Sequence, residues 1–203
     1  MTNIEPTDLT KYLEYPKSLT CIYGNPAAGK TTFCLLAALA EKGKVVFIDT
    51  ENSFSIDRIK QINGSLPENL FLIKVNSFKE QSQLIENLLK LKGKIDLIII
   101  DSFTYHYRKE LQEKKDVNFK LSKQLSILAE ISRESKIPII LTSQIYSTMD
   151  NNIEPVGGNM LKNWCQCLIK LEKNNERKII LEKHPQNKIL NSIFEIVNKG
   201  IKF

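Results

Sequence analysis

Apolar residues along most of the chain fall into short dense runs separated by helical stripes. Val45-Val46-Phe47-Ile48 is wholly apolar, and Ile95–Ile100 is nearly so, ending in Asp101. Such runs are expected of strands buried on both faces of a sheet. Leu19–Tyr23, Leu70–Val75 and Ile137–Thr142 have the same character. Between them, apolar residues recur at helical spacing. That spacing predicts helices over Lys30–Lys42, Ile56–Ile62, Gln81–Leu91 and Phe119–Ser135. Gly43 is expected to end the first in a left-handed conformation, and Asn63-Gly64 to stop the second.

The pattern changes in the last quarter. Cys165–Glu172, Lys178–Lys183 and Ser192–Asn198 alternate apolar and polar positions, with Asn174-Asn175 and Pro185-Gln186-Asn187 between them. This predicts an antiparallel meander. Two polar stretches, Tyr105–Asp116 and Tyr146–Gly158, are expected to be irregular loops. Strand–helix alternation followed by hairpins gives an α/β fold. Its central sheet is mostly parallel, with helices on both faces and the meander at its end. Residues 1–18 are polar and broken by Pro6 and Pro16, with room for a brief helix from Thr7 or Asp8 to Leu13. They read as a short lead-in, and 19–203 as one core domain.

Composition adds bounds. The chain has 203 residues, 42% hydrophobic and 26% charged, an ordinary globular balance. Met1–Lys11 has no apolar centre of the kind a signal peptide needs. No run has bilayer-spanning length, so a cytoplasmic protein without a membrane partner is expected. The net charge of +6 permits nucleic-acid contact without requiring it. Among the four cysteines, Cys21, Cys34, Cys165 and Cys167, no Cys-x-x-Cys pair exists, so buried reduced thiols are expected. Cys165 and Cys167 alternate and are expected on one face of a strand.

One stretch carries decisive chemistry. Gly24-Asn25-Pro26-Ala27-Ala28-Gly29-Lys30-Thr31 reads G-x-x-x-x-G-K-T between a strand and a helix. Glycines let the backbone turn its N–H groups inward as a nest for phosphate oxygens. The helix N-terminus adds partial positive charge. Lys30 is expected on the outer phosphates, and Thr31 on Mg²⁺. Asp101, at the tip of a buried strand, is the candidate second group for Mg²⁺. Asp49-Thr50-Glu51 ends the adjacent strand. Glu51 is the better candidate for polarising an attacking water, with Asp49 its rival. Gln144 follows another strand end, and its amide can both donate and accept toward a terminal phosphate.

These residues in this order resemble the RecA/RadA-type recombinase core, and most of all its short archaeal RadB branch. The likeness rests on Gly24–Thr32, on Ile48-Asp49-Thr50-Glu51 with Phe54 and Arg58-Ile59, and on Asp101-Ser102 with Thr104, His106, Tyr107 and Arg108. It continues through Thr142-Ser143-Gln144-Ile145-Tyr146, Pro155-Val156-Gly157-Gly158 and Phe194–Ile201. The resemblance implies a RecA-like P-loop NTPase core that binds ATP and Mg²⁺ and hydrolyses ATP weakly. It assigns Gly24, Asn25, Pro26, Ala27, Ala28, Gly29, Lys30, Thr31 and Thr32 to the phosphates. Arg58 goes to the adenine, Thr31 and Asp101 to Mg²⁺, Glu51 to the water, and Gln144 to coupling the nucleotide to DNA. The two polar stretches become DNA-facing loops, the first with Arg108, Lys109, Lys114 and Lys115 for phosphates. Implied partners are single-stranded DNA at modest affinity, other recombination proteins such as a RadA-like recombinase, and further copies of the chain.

Three departures point to the short branch. There is no room for an N-terminal helical DNA-binding domain. The lead-in lacks a Phe-x-x-Ala polymerisation signature. The second loop, Tyr146–Asn159, has no Lys or Arg and contains Asp150 and Glu154, which weighs against tight single-strand binding. The acidic loop also permits another class of function, a nucleotide-gated regulatory protein that switches a protein partner without DNA.

Overall fold

A computed structural model describes residues 3–4, 17–91, 93–111, 116–147 and 153–203. The helix expected between Thr7 and Leu13 lies outside these residues. Strands are β1 Asn3–Ile4, β2 Leu19–Gly24, β3 Val45–Asp49, β4 Leu70–Lys74, β5 Leu97–Asp101, β6 Ile139–Ser143, β7 Ile145–Ser147, β8 Ile153–Pro155, β9 Cys167–Lys173, β10 Arg177–Lys183, β11 Asn191–Val197 and β12 Gly200–Lys202. Helices are α1 Lys30–Ala40, α2 Ile56–Asn63, α3 Phe78–Leu88, α4 Tyr105–Glu110, α5 Val117–Ser135 and α6 Gly158–Trp164.

The main sheet runs β1-β12-β11-β10-β9-β2-β6-β5-β3-β4. From β9 to β4 every neighbouring pair is parallel; from β9 outward through β12 to β1 every pair is antiparallel. Alternate side chains of the parallel strands enter two separate cores. Ile98 and Ile100 pack with Ile85, Leu125 and Leu128 on one face. Leu97 and Ile99 pack with Phe33, Leu36 and Ile59 on the other. Dense apolar runs therefore become central strands, because both faces must be dry.

Helix boundaries follow local chemistry. α3 starts at Phe78, earlier than periodicity alone suggests, because Ser77 Oγ accepts from Glu80 N at 3.1 Å. α2 starts with Ser55 Oγ accepting from Arg58 N, and Gly64 ends it with φ 85°. The left-handed stop expected at Gly43 is absent. α1 ends with Glu41 in extended conformation. Gly43 instead makes room for the carboxyl of Asp96, against which any Cβ would collide. That carboxylate accepts from Lys44 N at 2.8 Å.

Three further expectations are corrected. The stretch Tyr105–Asp116 is not irregular throughout: its first six residues form α4, which buries His106 and Tyr107. The described residues of the stretch Tyr146–Gly158 include the end of β7, all of β8, which pairs with β7 antiparallel, and the start of α6. Cys165 and Cys167 do not share a face. Cys165 caps α6 and packs in one core, and the chain enters β9 only at Cys167, which packs in the other. All four thiols are buried and free. Burial pushes Cys21 and Cys34 up, and Cys167 up to about 12. Two strands, β1 and β12, had no alternating signal long enough to read; β1 pairs Asn3 with Lys202 at the sheet's edge.

The candidate nucleotide site

The ends of β2, β3, β5 and β6 meet at one edge of the sheet, where open α/β folds bind ligands. Between β2 and α1 the phosphate loop takes a tight path. Gly24 has φ 155° and lies so close to the Leu171 carbonyl of β9 that a Cβ would overlap it. Ala27 and Gly29 also have positive φ, at 58° and 113°. Left-handed turns of this kind aim consecutive N–H groups to one side, as an anion nest requires. Phe33 of α1 meets Phe194 of β11 edge to face, with centroids 5.3 Å apart. Such a pair adds roughly 0.5–1.5 kcal/mol beyond burial, and it holds β11 against the phosphate helix.

Lys30 Nζ donates to the carbonyls of Gly24 and Asn25, each at 2.9 Å. Burial pushes its ammonium down, opposed by the charges of Asp101 and Glu51. The lysine therefore gains from an anion arriving beside it. Thr31 Oγ1 donates to Asp101 Oδ2 at 2.7 Å, and Thr142 Oγ1 to Asp101 Oδ1 at 2.5 Å. Asp101 is 4% exposed. Burial pushes its carboxyl up, against the two hydroxyls and Lys30, while Asp49 adds to the rise. Hydroxyl and carboxylate oxygens at one point are the hard donors Mg²⁺ takes, and the ion would balance the buried charge. Thr31 and Asp101 thus fit the expected metal site.

A raised folded value means the charged carboxylate costs stability as pH rises through it, and neutrality removes that cost. Asp101→Asn should therefore raise rather than lower the melting temperature of the ligand-free protein at neutral pH, and remove Mg²⁺ dependence from nucleotide binding. Differential scanning fluorimetry with and without Mg²⁺ and nucleotide checks both.

The structure separates Asp49 from Glu51. Asp49 is buried and accepts from the amides of Glu51, Ser53 and Phe54 at 3.2, 3.1 and 3.1 Å. Its carboxylate is spent on shaping the turn after β3. Glu51 instead lines a cavity of about 490 Å³ with Gly24, Lys30, Thr31, Asp101 and Gln144, a size suited to a nucleotide. Gln144 Nε2 donates to Glu51 Oε1 at 3.1 Å across that cavity.

A model of the Rad51 family matches residues 13–203. The chain belongs to the Rad51 family. Its relatives include the DNA repair and recombination protein RadB of Methanococcus maripaludis, 41% identical over 91% of this chain and 94% of that protein. RadB of Methanocaldococcus jannaschii is 36% identical over 91% and 92%. A crystal structure of the RadB recombinase superposes with a TM-score of 0.80 at 32% identity, covering 95% of this chain and 94% of its own.

The remaining expected positions of this Rad51-family chain divide. Arg58 donates to the carbonyls of Val197 and Asn198 at 2.7 and 3.1 Å and to Gln61 Oε1. It anchors the turn after β11, the strand whose Ile196 lines the cavity. Arg108 lies at the same cavity as Lys30 and donates to Gln144 Oε1 at 2.9 Å. Lys109 sits over the Tyr105 ring, 4.0 Å from its centroid. Lys114 and Lys115 lie outside the described residues. Thr142, Ile145 and Ile196 fall in stretches that carry the resemblance but had no expected site role, and Arg108 was expected toward DNA rather than at this cavity. Thr142 ends an apolar strand, and it meets Asp101 because that strand pairs with β5; nothing in the spacing marked the others.

Proposed function

We propose that this chain is an ATP-binding, slowly ATP-hydrolysing accessory protein of DNA repair and homologous recombination. It binds DNA, preferably single strands, with modest affinity, and assists other recombination proteins such as a RadA-like recombinase. The observation that carries the reading is the meeting, in one cavity, of the phosphate loop, the Thr31–Asp101 pair and the Glu51–Gln144 pair.

The residues divide the work. Gly24 through Thr32 cradle the phosphates, with Lys30 exchanging its loop carbonyls for phosphate oxygens. Thr31 and Asp101 would hold Mg²⁺, which would supply charge neutralisation of the triphosphate. Glu51 orients and polarises the attacking water. Gln144 faces the terminal phosphate and stands at the root of the β7–β8 hairpin. Val156 N donates to the Gln144 carbonyl at 2.8 Å, and Ser143 Oγ to the Val156 carbonyl at 3.1 Å. A shift of Gln144 is therefore felt directly by the second expected DNA loop. Lys109, Lys114 and Lys115 belong to the first, where they neutralise DNA phosphates.

The test is ATP hydrolysis with and without single-stranded DNA, alongside anisotropy titrations at several salt concentrations. The expected result is slow turnover that DNA changes, and DNA binding that weakens steeply with salt. Lys114→Glu/Lys115→Glu should weaken binding and flatten that slope. Turnover indifferent to DNA, with no salt-sensitive binding, would favour a nucleotide-gated switch acting on a protein partner.

A further inference from the structure

Arg108 belongs to a polar stretch expected to face DNA, yet its guanidinium reaches back to the phosphate cavity. There it donates to Gln144 Oε1 at 2.9 Å, and the same amide donates through Nε2 to Glu51 Oε1 at 3.1 Å. We infer that Arg108 is a positioning residue for ATP hydrolysis: it fixes the orientation of the Gln144 amide, and through it the carboxylate of Glu51. This deepens the proposed function and rests on the assignment of Glu51 to the attacking water.

Donors and acceptors decide the orientation of the amide. A guanidinium only donates, an ionised carboxylate only accepts, and an amide has one end of each kind. A glutamine between Arg108 and Glu51 therefore satisfies both neighbours in one orientation. Turned over, its oxygen would meet the carboxylate and its NH₂ the guanidinium, two repulsive contacts in place of two bonds. The cation thus sets the polarity of the relay. Without it, Gln144 is free to rotate, and Glu51 loses a fixed partner on the side facing the cavity.

The backbone around Arg108 makes the arrangement definite. Arg108 N donates to the Thr104 carbonyl at 2.9 Å, and Thr104 Oγ1 lies 3.0 Å from Ser143 Oγ. Phe103 N donates to the Thr142 carbonyl at 2.9 Å. These bonds fasten the start of α4 to the end of β6, the strand that leads into Gln144. Arg108 and Gln144 are thereby presented from two elements tied together at their base. Arg108 itself is exposed, so its replacement leaves the cores intact.

The experiment is steady-state ATP hydrolysis without DNA, where a residue serving only DNA contact has no effect. Arg108→Ala should lower kcat about tenfold or more, with KM for ATP changed less than twofold. Arg108→Lys should recover part of the loss, because an ammonium can still donate to Oε1. Gln144→Ala should show a similar loss, and Arg108→Ala/Gln144→Ala should be no slower than Gln144→Ala alone, since both remove one relay. Wild-type kcat in Arg108→Ala, additive losses in the double variant, or a raised KM at unchanged kcat would each overturn the inference. Glu51→Gln, assayed in parallel, separates the failures. Its wild-type turnover would overturn the water-activating assignment itself, whereas its loss of turnover beside an active Arg108→Ala would overturn the positioning role alone.

Discussion

Lys30→Ala protein should fold normally and fail to bind ATP–Mg²⁺ at concentrations that saturate the wild type, with affinity lowered at least about a hundredfold. The lysine's present bonds are to the Gly24 and Asn25 carbonyls at the mouth of the loop. An arriving triphosphate replaces them with charge-assisted bonds, worth roughly 1.5–3 kcal/mol each. Losing two such bonds, less the two carbonyl bonds that the wild type gives up on binding, leaves a loss of about two powers of ten in affinity. Stability should change little, because burial of the ammonium in the ligand-free protein opposes what Asp101, Glu51 and the two carbonyls give it. Calorimetric or fluorescent-nucleotide titration, paired with a melting curve, separates the two effects. Binding within threefold of wild type would reject the role given to Lys30.

Glu51→Gln should bind ATP–Mg²⁺ as the wild type does and lose turnover by about 10²–10⁴-fold, the range for a positioned general base. The substitution keeps shape and keeps an oxygen able to accept from Gln144 Nε2, so the cavity's geometry survives. What disappears is the capacity to take up the water's proton. Phosphate release in a single turnover at saturating ATP reads this directly. Asp49 offers the contrast: its carboxylate accepts from three loop amides, so Asp49→Asn should act through the shape of the turn. Turnover unchanged in Glu51→Gln would return the assignment to Asp49 or to neither.

Much of this was legible in the chain. Dense apolar runs marked β2, β3, β5 and β6 because strands dry on both faces have no polar positions to spare, and their ends carry Gly24, Asp49, Asp101 and Gln144. The phosphate loop was legible because its chemistry is local in sequence. Tertiary placement was harder to read. Asp49 and Glu51 differ by two positions, and only the amides of the following turn decide which carboxylate remains available. Arg108 looked like one more cation in a basic stretch. Its cavity position depends on α4, a short helix whose buried His106 and Tyr107 carry too little periodicity to announce it. The meeting of Cys165 and Cys167 on one face failed for a related reason: α6 runs to Trp164, Cys165 is its C-cap, and the strand begins only at Cys167.

Every role proposed for this site requires a triphosphate to settle in the cavity between the loop amides, Lys30 and the Thr31–Asp101 pair. Isothermal titration of the purified chain with ATP, first with Mg²⁺ and then with the ion chelated, measures this binding. Saturable heat at one site per chain is expected with Mg²⁺ present, and markedly weaker binding without it. No heat at millimolar ATP and Mg²⁺ would contradict the proposed site.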